Sequence, residues 1–509
     1  TYECDIPLNK EENEHFILFF FFFENKTEIY IYCRINQLGN LINNEHFDFE
    51  SILDKHKRAF NKRWELSNVD IIGDEEADFE IKYSIYHLLI LQDENSFKSI
   101  PARGVSGQTY KGAVFWDTEM FIIPFLLLTN PTMAKNCLIY RINTLEGAKK
   151  KAQELGYKGA FYAWESQEDG TEQCTKYSVT DPITNKPIRT YFNEKQIHIS
   201  GDIPLAIDKY IRYTNDYSIL DLGANKVILE CARFFASYAT KLDDGLYHLL
   251  DVIGPDEYHE RIDDNAFTNY VAYLTCLLAI KYCQNVDQDI IDFKNNIYLP
   301  TPNENKIIEQ FKGYFSLEDV GPNIVKSRVK SKNEYLGGKL GPAYKTKTIK
   351  QADVITLLAI KPELFDKEVL INNYNYYLPF TEHGSSLSAS MYSLVGSWIN
   401  DLDTSYSMFR KSSGIDLGVE QKMYAGGIYI GGTHPASNAG AYLSLIYGFA
   451  GLNIKDDKIC LNPHLPSKIK ELKFKILFRN EIYSIAINHN DYMIKNEGRI
   501  KWLKELSLT

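Results

Sequence analysis

Two changes of hydrophobic period divide this chain of 509 residues. The first stretch is apolar without interruption, Phe16-Ile-Leu-Phe-Phe-Phe-Phe-Phe23. It is followed by Thr27-Glu-Ile-Tyr-Ile-Tyr-Cys33, with Asn25-Lys26 as turn residues between the two. Aromatic and β-branched runs flanking a short polar turn predict paired strands. The Phe-rich run is far too short to span a bilayer as a helix, which takes about 20 residues. It also has no basic region before it, so a buried strand is expected rather than a signal peptide. From Phe49 the period becomes helical: Phe49, Ile52, Leu53, His56 and Phe60 share one face of an amphipathic linker helix.

From about 66 to 452 helix follows helix. Asn130-Pro131 reads as an N-cap with proline in the first turn, and Gly156 as the stop of that helix after its Lys-rich last portion. Residues 217–241 place Ile219, Val227, Cys231, Phe234, Phe235 and Tyr238 on a broad apolar face. The stretches 266–284, 350–360, 386–399 and 436–449 repeat the theme, and the Gly, Pro and Asp residues fall between them. Many helices of middling length joined by loops predict a mainly α helical toroid or bundle. The last change comes near the end. Leu472, Phe474, Ile476 and Phe478 alternate with other residues, Arg479-Asn480-Glu481 turns the chain, and Tyr483, Ile485 and Ile487 resume the alternation, predicting a small β domain over 453–509.

Composition narrows the class. With 44% hydrophobic and 24% charged residues the chain is globular, and its net charge of −11 argues against nucleic acid as a partner. No stretch predicts a membrane partner. Eight scattered cysteines form no zinc or redox spacing, and Cys276 and Cys283 lie in an apolar run, which fits a reducing, cytoplasmic compartment.

Four clusters carry candidate chemistry. Phe115-Trp116-Asp117-Thr118-Glu119 and Tyr162-Ala-Trp164-Glu165 each set an indole beside a carboxylate, a pairing that can stack on a sugar and accept its hydroxyls. Asp117 equally reads as an N-cap of the apolar segment after it. Gly254-Pro-Asp256-Glu257-Tyr258-His259-Glu260 puts three carboxyls on a turn. Burial and mutual repulsion there would keep one protonated near neutral pH, and the residues alone leave open which. Thr381-Glu-His383-Gly384-Ser385-Ser386-Leu-Ser388 opens an apolar helix, where free N–H groups, hydroxyls and an imidazole suit an oxyanion, or where serine simply caps. Lys350-Gln351 begins another helix. A lysine is unfavourable there against the helix dipole, which suggests that it is used elsewhere.

In this order the motifs Phe115–Glu119, Val252-Ile-Gly-Pro-Asp-Glu257-Tyr258, Lys350-Gln351-Ala-Asp353-Val and His383-Gly-Ser-Ser-Leu-Ser388 resemble glycoside hydrolase family 65, the inverting α-glucosyl disaccharide phosphorylases acting on maltose, kojibiose, nigerose or trehalose. The resemblance runs from about Trp64 to the C-terminus. It implies a remnant of an N-terminal β-sandwich over 1–45, a linker helix over 46–65, an (α/α)6 barrel over 66–452 and a C-terminal β domain over 453–509. It also implies a hexosyltransferase with Glu257 as general acid. Trp116, Asp117, Lys350 and Gln351 would hold sugar, joined by the Trp164–Glu165 pair, and His383, Gly384, Ser385 and Ser386 would line a phosphate pocket. No metal or cofactor is expected, because phosphate is itself the nucleophile and stands in place of the second carboxylate that an inverting hydrolase needs.

Two departures stand out. Most of the expected N-terminal sandwich is absent, so the chain reads as a truncated member; in relatives that domain covers the barrel and forms dimers, and a homodimer is expected here only if it is dispensable. Tyr429 stands where relatives commonly carry a phosphate-binding His, with His434 as a substitute. The alternatives are a hydrolase of the same family (acid trehalase or α-glucosidase type), for which Glu382 is the local candidate base, and an inactive carbohydrate-binding fragment. Residues 104–110 are the candidate determinant of linkage, and His383-Gly384 points towards kojibiose or nigerose rather than trehalose.

Overall fold

The computed structural model describes residues 15–22, 29–36, 49–94, 96–105, 107, 109–177, 179–181, 183–331, 334–418, 424–425, 428–429 and 431–499. The chain divides into two units, Thr1–Asn61 and Lys62–Thr509. In the first, β1 (His15–Phe22) and β2 (Ile29–Asn36) pair antiparallel with Phe19 opposite Tyr32, as their composition predicts; the turn between them lies outside the described residues. The linker helix runs over Phe49–Ser67.

The second unit is mainly helical, and twelve of its described helices alternate between two layers. They are α1 (Glu75–Leu89), α2 (Ile123–Thr129), α3 (Pro131–Asn143), α4 (Ile199–Thr214), α5 (Asn225–Tyr238), α6 (Ala266–Tyr282), α7 (Gln288–Asn296), α8 (Val354–Ile360), α9 (Lys367–Tyr377), α10 (Ser388–Trp398), α11 (Leu402–Ser413) and α12 (Pro435–Leu443). The even-numbered helices touch one another in sequence, and α12 returns to pack on α2, closing a ring. The odd-numbered helices lie outside it: α3, α5, α9 and α11 each pack on both even neighbours, α1 on α12 and α7 on α6. This is an (α/α)6 barrel. Because successive helices reverse direction, all six inner helices run the same way and present their N-termini at one end.

Capping differs between the layers. Outer helices begin at Asp74, Asn130, Asp366 and Asp401, whose side chains accept from backbone N–H groups in the first turn. Among the inner helices only α6 has such a cap, Asn265, which accepts from Thr268 N at 2.9 Å. At the starts of α4, α8, α10 and α12, and at Asp117 before the π-turn Thr118–Ile122 that leads into α2, no side chain caps the helix. Partial positive charge from these helix starts collects at that end of the barrel, against the carboxyls described below.

Two expectations need correction. The helix that Asn130 caps does not continue to Gly156. It breaks at Thr144, whose Oγ1 donates back to Tyr140 O at 2.9 Å, and a second helix occupies Leu145–Glu154. Lys350 and Gln351 do not begin a helix either; they lie in the loop before α8, which starts at Val354.

The C-terminal sheet is antiparallel in the order β6 (Tyr492–Arg499), β5 (Glu481–Asn488), β4 (Glu471–Phe478), β3 (Val69–Ile72). Arg479 and Asn480, both at positive φ (51° and 64°), form the two-residue hairpin turn between β4 and β5. The edge strand β3 comes from just before the barrel, pairing Val69 with Phe474 and Ile72 with Glu471. Leu472, Phe474 and Ile476 point inward, as the alternation predicts.

Candidate active site

The three carboxyls of the 254–260 turn have different surroundings. Asp256 is buried and fully engaged: Oδ1 accepts from Tyr258 N (3.1 Å) and Lys350 N (2.8 Å), while Oδ2 meets His259 Nδ1 (2.6 Å) and Gln310 Nε2 (3.1 Å). The turn rests on Asp353, which accepts from Asp256 N at 3.1 Å and from the Asn265 side chain. Gly254 packs so closely on that pair that any Cβ would strike it. Glu260 is sealed: a Cβ on Gly338 would lie 3.4 Å from its Oε1, which has no hydrogen-bond partner. Glu257 alone remains partly open, its Oε2 accepting from Lys350 Nζ at 2.6 Å.

Around Glu257 the barrel end holds further carboxyls. Burial pushes Asp117, Glu165 and Glu260 each up to about 7, and the charge of Glu257 adds to the shift in all three. Bringing several carboxyls into one poorly hydrated space makes each negative charge costly, so the cluster retains protons near neutrality. Asp117 makes no side-chain cap, so its carboxyl is not spent on the following helix. The 164–165 loop is fixed by Glu172, which accepts from Trp164 N (2.7 Å) and Glu165 N (2.9 Å) and pairs with Lys151 (2.7 Å). Glu119 takes Arg141 in a bidentate buried pair at 2.7 and 3.0 Å, and Arg141 also donates to Phe115 O, which fixes the 115–119 segment.

Both indoles belong to an aromatic floor. Trp116 lies 4.9 Å from His198, 5.9 Å from Phe267 and 6.4 Å from Trp164, measured between ring centres, and is only 2% exposed. Trp164 in turn lies edge-on to Phe115 at 5.7 Å. Gln351 is also buried and donates to Pro255 O, bracing the acid turn.

Lys350 joins the acid turn to the serine loop. Its N–H donates to Asp256, its ammonium meets Glu257, and its carbonyl accepts from Gly384 N at 2.8 Å. Beside it Glu382 N donates to Ile349 O at 2.9 Å. Lys350 therefore ties Glu257 to the start of the 383–386 loop. His383 is held at φ 54° with Nδ1 at 2.9 Å from Ser388 Oγ, and Ser385 Oγ accepts from Leu387 N at 3.2 Å. Ser386 and Gly384 are partly open. His434 is anchored by Asp416, with Nδ1 to Oδ1 at 2.6 Å, at the start of α12. The side chain of Tyr429 lies outside the described residues.

The sequence motifs did not assign roles to Asp353, Glu172 or Tyr258. Asp353 and Tyr258 lie inside motifs, where adjacency was the available signal; Glu172 had none. Among the described residues no group of three or more His, Cys, Asp or Glu side chains could hold a metal ion.

The sequence model of the glycosyl hydrolase family 65 central catalytic domain matches residues 82–439, and that of the family's C-terminal domain matches 452–501. The chain belongs to family 65. Its relatives include a nigerose phosphorylase of Lachnoclostridium phytofermentans, 47% identical over 86% of this chain and 61% of the relative. A 1,2-alpha-glucosylglycerol phosphorylase of Bacillus selenitireducens is 38% identical over 87% of this chain and 61% of the relative. A kojibiose phosphorylase of Caldanaerobacter subterraneus is 35% identical over 91% and 63%. A solved structure of a candidate kojibiose phosphorylase from the human microbiome superposes with a TM-score of 0.78 at 26% identity, covering 89% of this chain and 60% of that one. The family 65 chain thus spans about 61% of the length of the first two relatives. Among its described residues no helix is long and apolar enough to cross a membrane.

Proposed function

We propose that this family 65 chain carries the catalytic site of an inverting phosphorylase that cleaves an α-linked glucose disaccharide with inorganic phosphate, giving β-glucose 1-phosphate and glucose. The observation that carries this reading is the position of Lys350, with one end on Glu257 and the other on Gly384. Glu257 acts as the acid, giving a proton to the glycosidic oxygen as the bond to the anomeric carbon breaks. A phosphate oxygen, held by Ser385, Ser386 and His383 beside the small Gly384, forms the new bond from the opposite face. The leaving sugar departs neutral, and the charge lost by phosphate appears on Glu257. Asp117, Glu165 and Lys350 meet the hydroxyls of the reacting glucosyl unit above the Trp116–Trp164 floor.

Phosphate supplies the nucleophile, so the scheme requires neither metal nor cofactor. A water-using reaction in the same site would need a free base. Glu382, the local candidate, is already engaged by Tyr258 Oη and by Lys326 Nζ at 2.8 Å. The names of the relatives favour nigerose or kojibiose as substrate. The mostly buried free thiols fit a reducing, cytoplasmic setting.

The deciding experiment is incubation of the protein with phosphate and a panel of α-linked glucose disaccharides, following glucose 1-phosphate and its anomeric form. β-Glucose 1-phosphate from one or more of them is expected. Glucose release without phosphate, or the α-anomer as product, would refute the scheme.

A further inference from the structure

The proposed phosphate pocket contains a feature at odds with a simple anion nest. The side chain of Glu382 folds over Gly384, so that a Cβ on that glycine would lie 2.6 Å from Glu382 Oε2. The carboxylate is held in place from two sides: Oε2 accepts from Tyr258 Oη, and Oε1 pairs with Lys326 Nζ at 2.8 Å. Tyr258 follows the proposed acid directly and is buried, while Lys326 reaches in from the short helix Pro322–Ser327. Glu382 itself is nearly closed off, with 12% of its side chain exposed. A fixed acceptor thus borders the space in which an anion has to bind.

A bare dianion such as sulfate offers only acceptors, and two acceptors in contact repel. Hydrogenphosphate carries one P–OH, which can donate to a carboxylate lone pair left unused by Tyr258 and Lys326. Resting on the phosphorylase reading above, we propose that Glu382 selects hydrogenphosphate over sulfate. Its carboxylate accepts the P–OH hydrogen bond and thereby turns the unprotonated oxygens towards Ser385, Ser386 and the anomeric carbon. The protonated oxygen is kept out of the line of attack, and no covalent change occurs at Glu382.

Calorimetric titration of the protein with phosphate, arsenate and sulfate tests this without requiring turnover. Hydrogenarsenate keeps the proton and is expected to bind like phosphate. Sulfate is expected to bind about 10- to 100-fold more weakly, the value of a charge-assisted hydrogen bond replaced by repulsion. In Glu382→Gln the amide can turn an N–H to the ligand, so sulfate should gain and phosphate lose, narrowing the ratio by about tenfold or more. Equal binding of sulfate and arsenate to the unmodified protein overturns the proposal, as does an unchanged ratio in the variant. If the variant does not fold, the unmodified protein still decides. Selective phosphate binding without glucose 1-phosphate formation would refute the phosphorylase reading and leave the selector standing.

Discussion

Two adjacent carboxylates, Asp256 and Glu257, separate structure from chemistry at the residue scale. Asp256 meets four donors in a buried setting, so Asp256→Asn should destabilise the fold by about 1–3 kcal/mol per donor left unmatched, read as a lower melting temperature. Glu257 faces the cavity and holds only Lys350, so Glu257→Gln should leave melting nearly unchanged and lower kcat for phosphorolysis by about 10²–10⁴-fold. A Gln variant with normal turnover would remove Glu257 as the acid. The sequence left three carboxyls open because their difference is one of burial, and burial depends on Gln310, Asp353 and Gly338, which are distant along the chain. The candidate sugar and phosphate residues stand out as motifs, since Trp-Asp and His-Gly-Ser-Ser are local patterns. That Trp116 and Gln351 would be closed in by their neighbours was not legible there, because it depends on His198, Phe267 and Pro255.

Among the elements, the inner ring depends on close approach. Gly201 sits on α4 where it crosses α6, and a Cβ there would strike Val271 Cγ1. Gly201→Ala should therefore cost about 1–3 kcal/mol by overpacking, measured as a shift in denaturant midpoint with unchanged slope. Where an element is decided locally, the sequence was a good guide. Asn130-Pro131 announced a helix start, and the alternation from Leu472 to Phe478 announced a strand. The failures are tertiary. The break at Thr144 comes one turn after Arg141, which is buried against Glu119, a residue 22 positions earlier in the chain. Strand β3 is only four residues long, and its partner lies at the far end of the chain, so no local pattern could pair Val69 with Phe474.

For the whole molecule, the buried carboxyls set a pH dependence of stability. Asp117, Glu165 and Glu260 are pushed up to about 7 and Asp353 to about 8, each first by burial. The unfolded chain releases these protons near pH 4. Between those limits the folded protein binds more protons than the unfolded one, so stability falls as pH rises. His248, raised by Asp264 and Asp244 against the lowering effect of its burial, acts in the same direction; His87 and His464, lowered chiefly by burial, oppose it. The melting temperature should decline from about pH 5 to about pH 8. Scanning calorimetry across that range tests this, and a steady rise would contradict it.

The sheet that joins β3 to β4 also bears on biosynthesis. A ribosome makes residues 69–72 about 400 residues before the strand that completes them, some 20–80 s at ordinary elongation rates. A comparable delay separates the outer helix α1 from α12, which packs against it. Until then the nascent chain carries an unpaired strand and an open helical layer, a period in which holding chaperones would have a defined task.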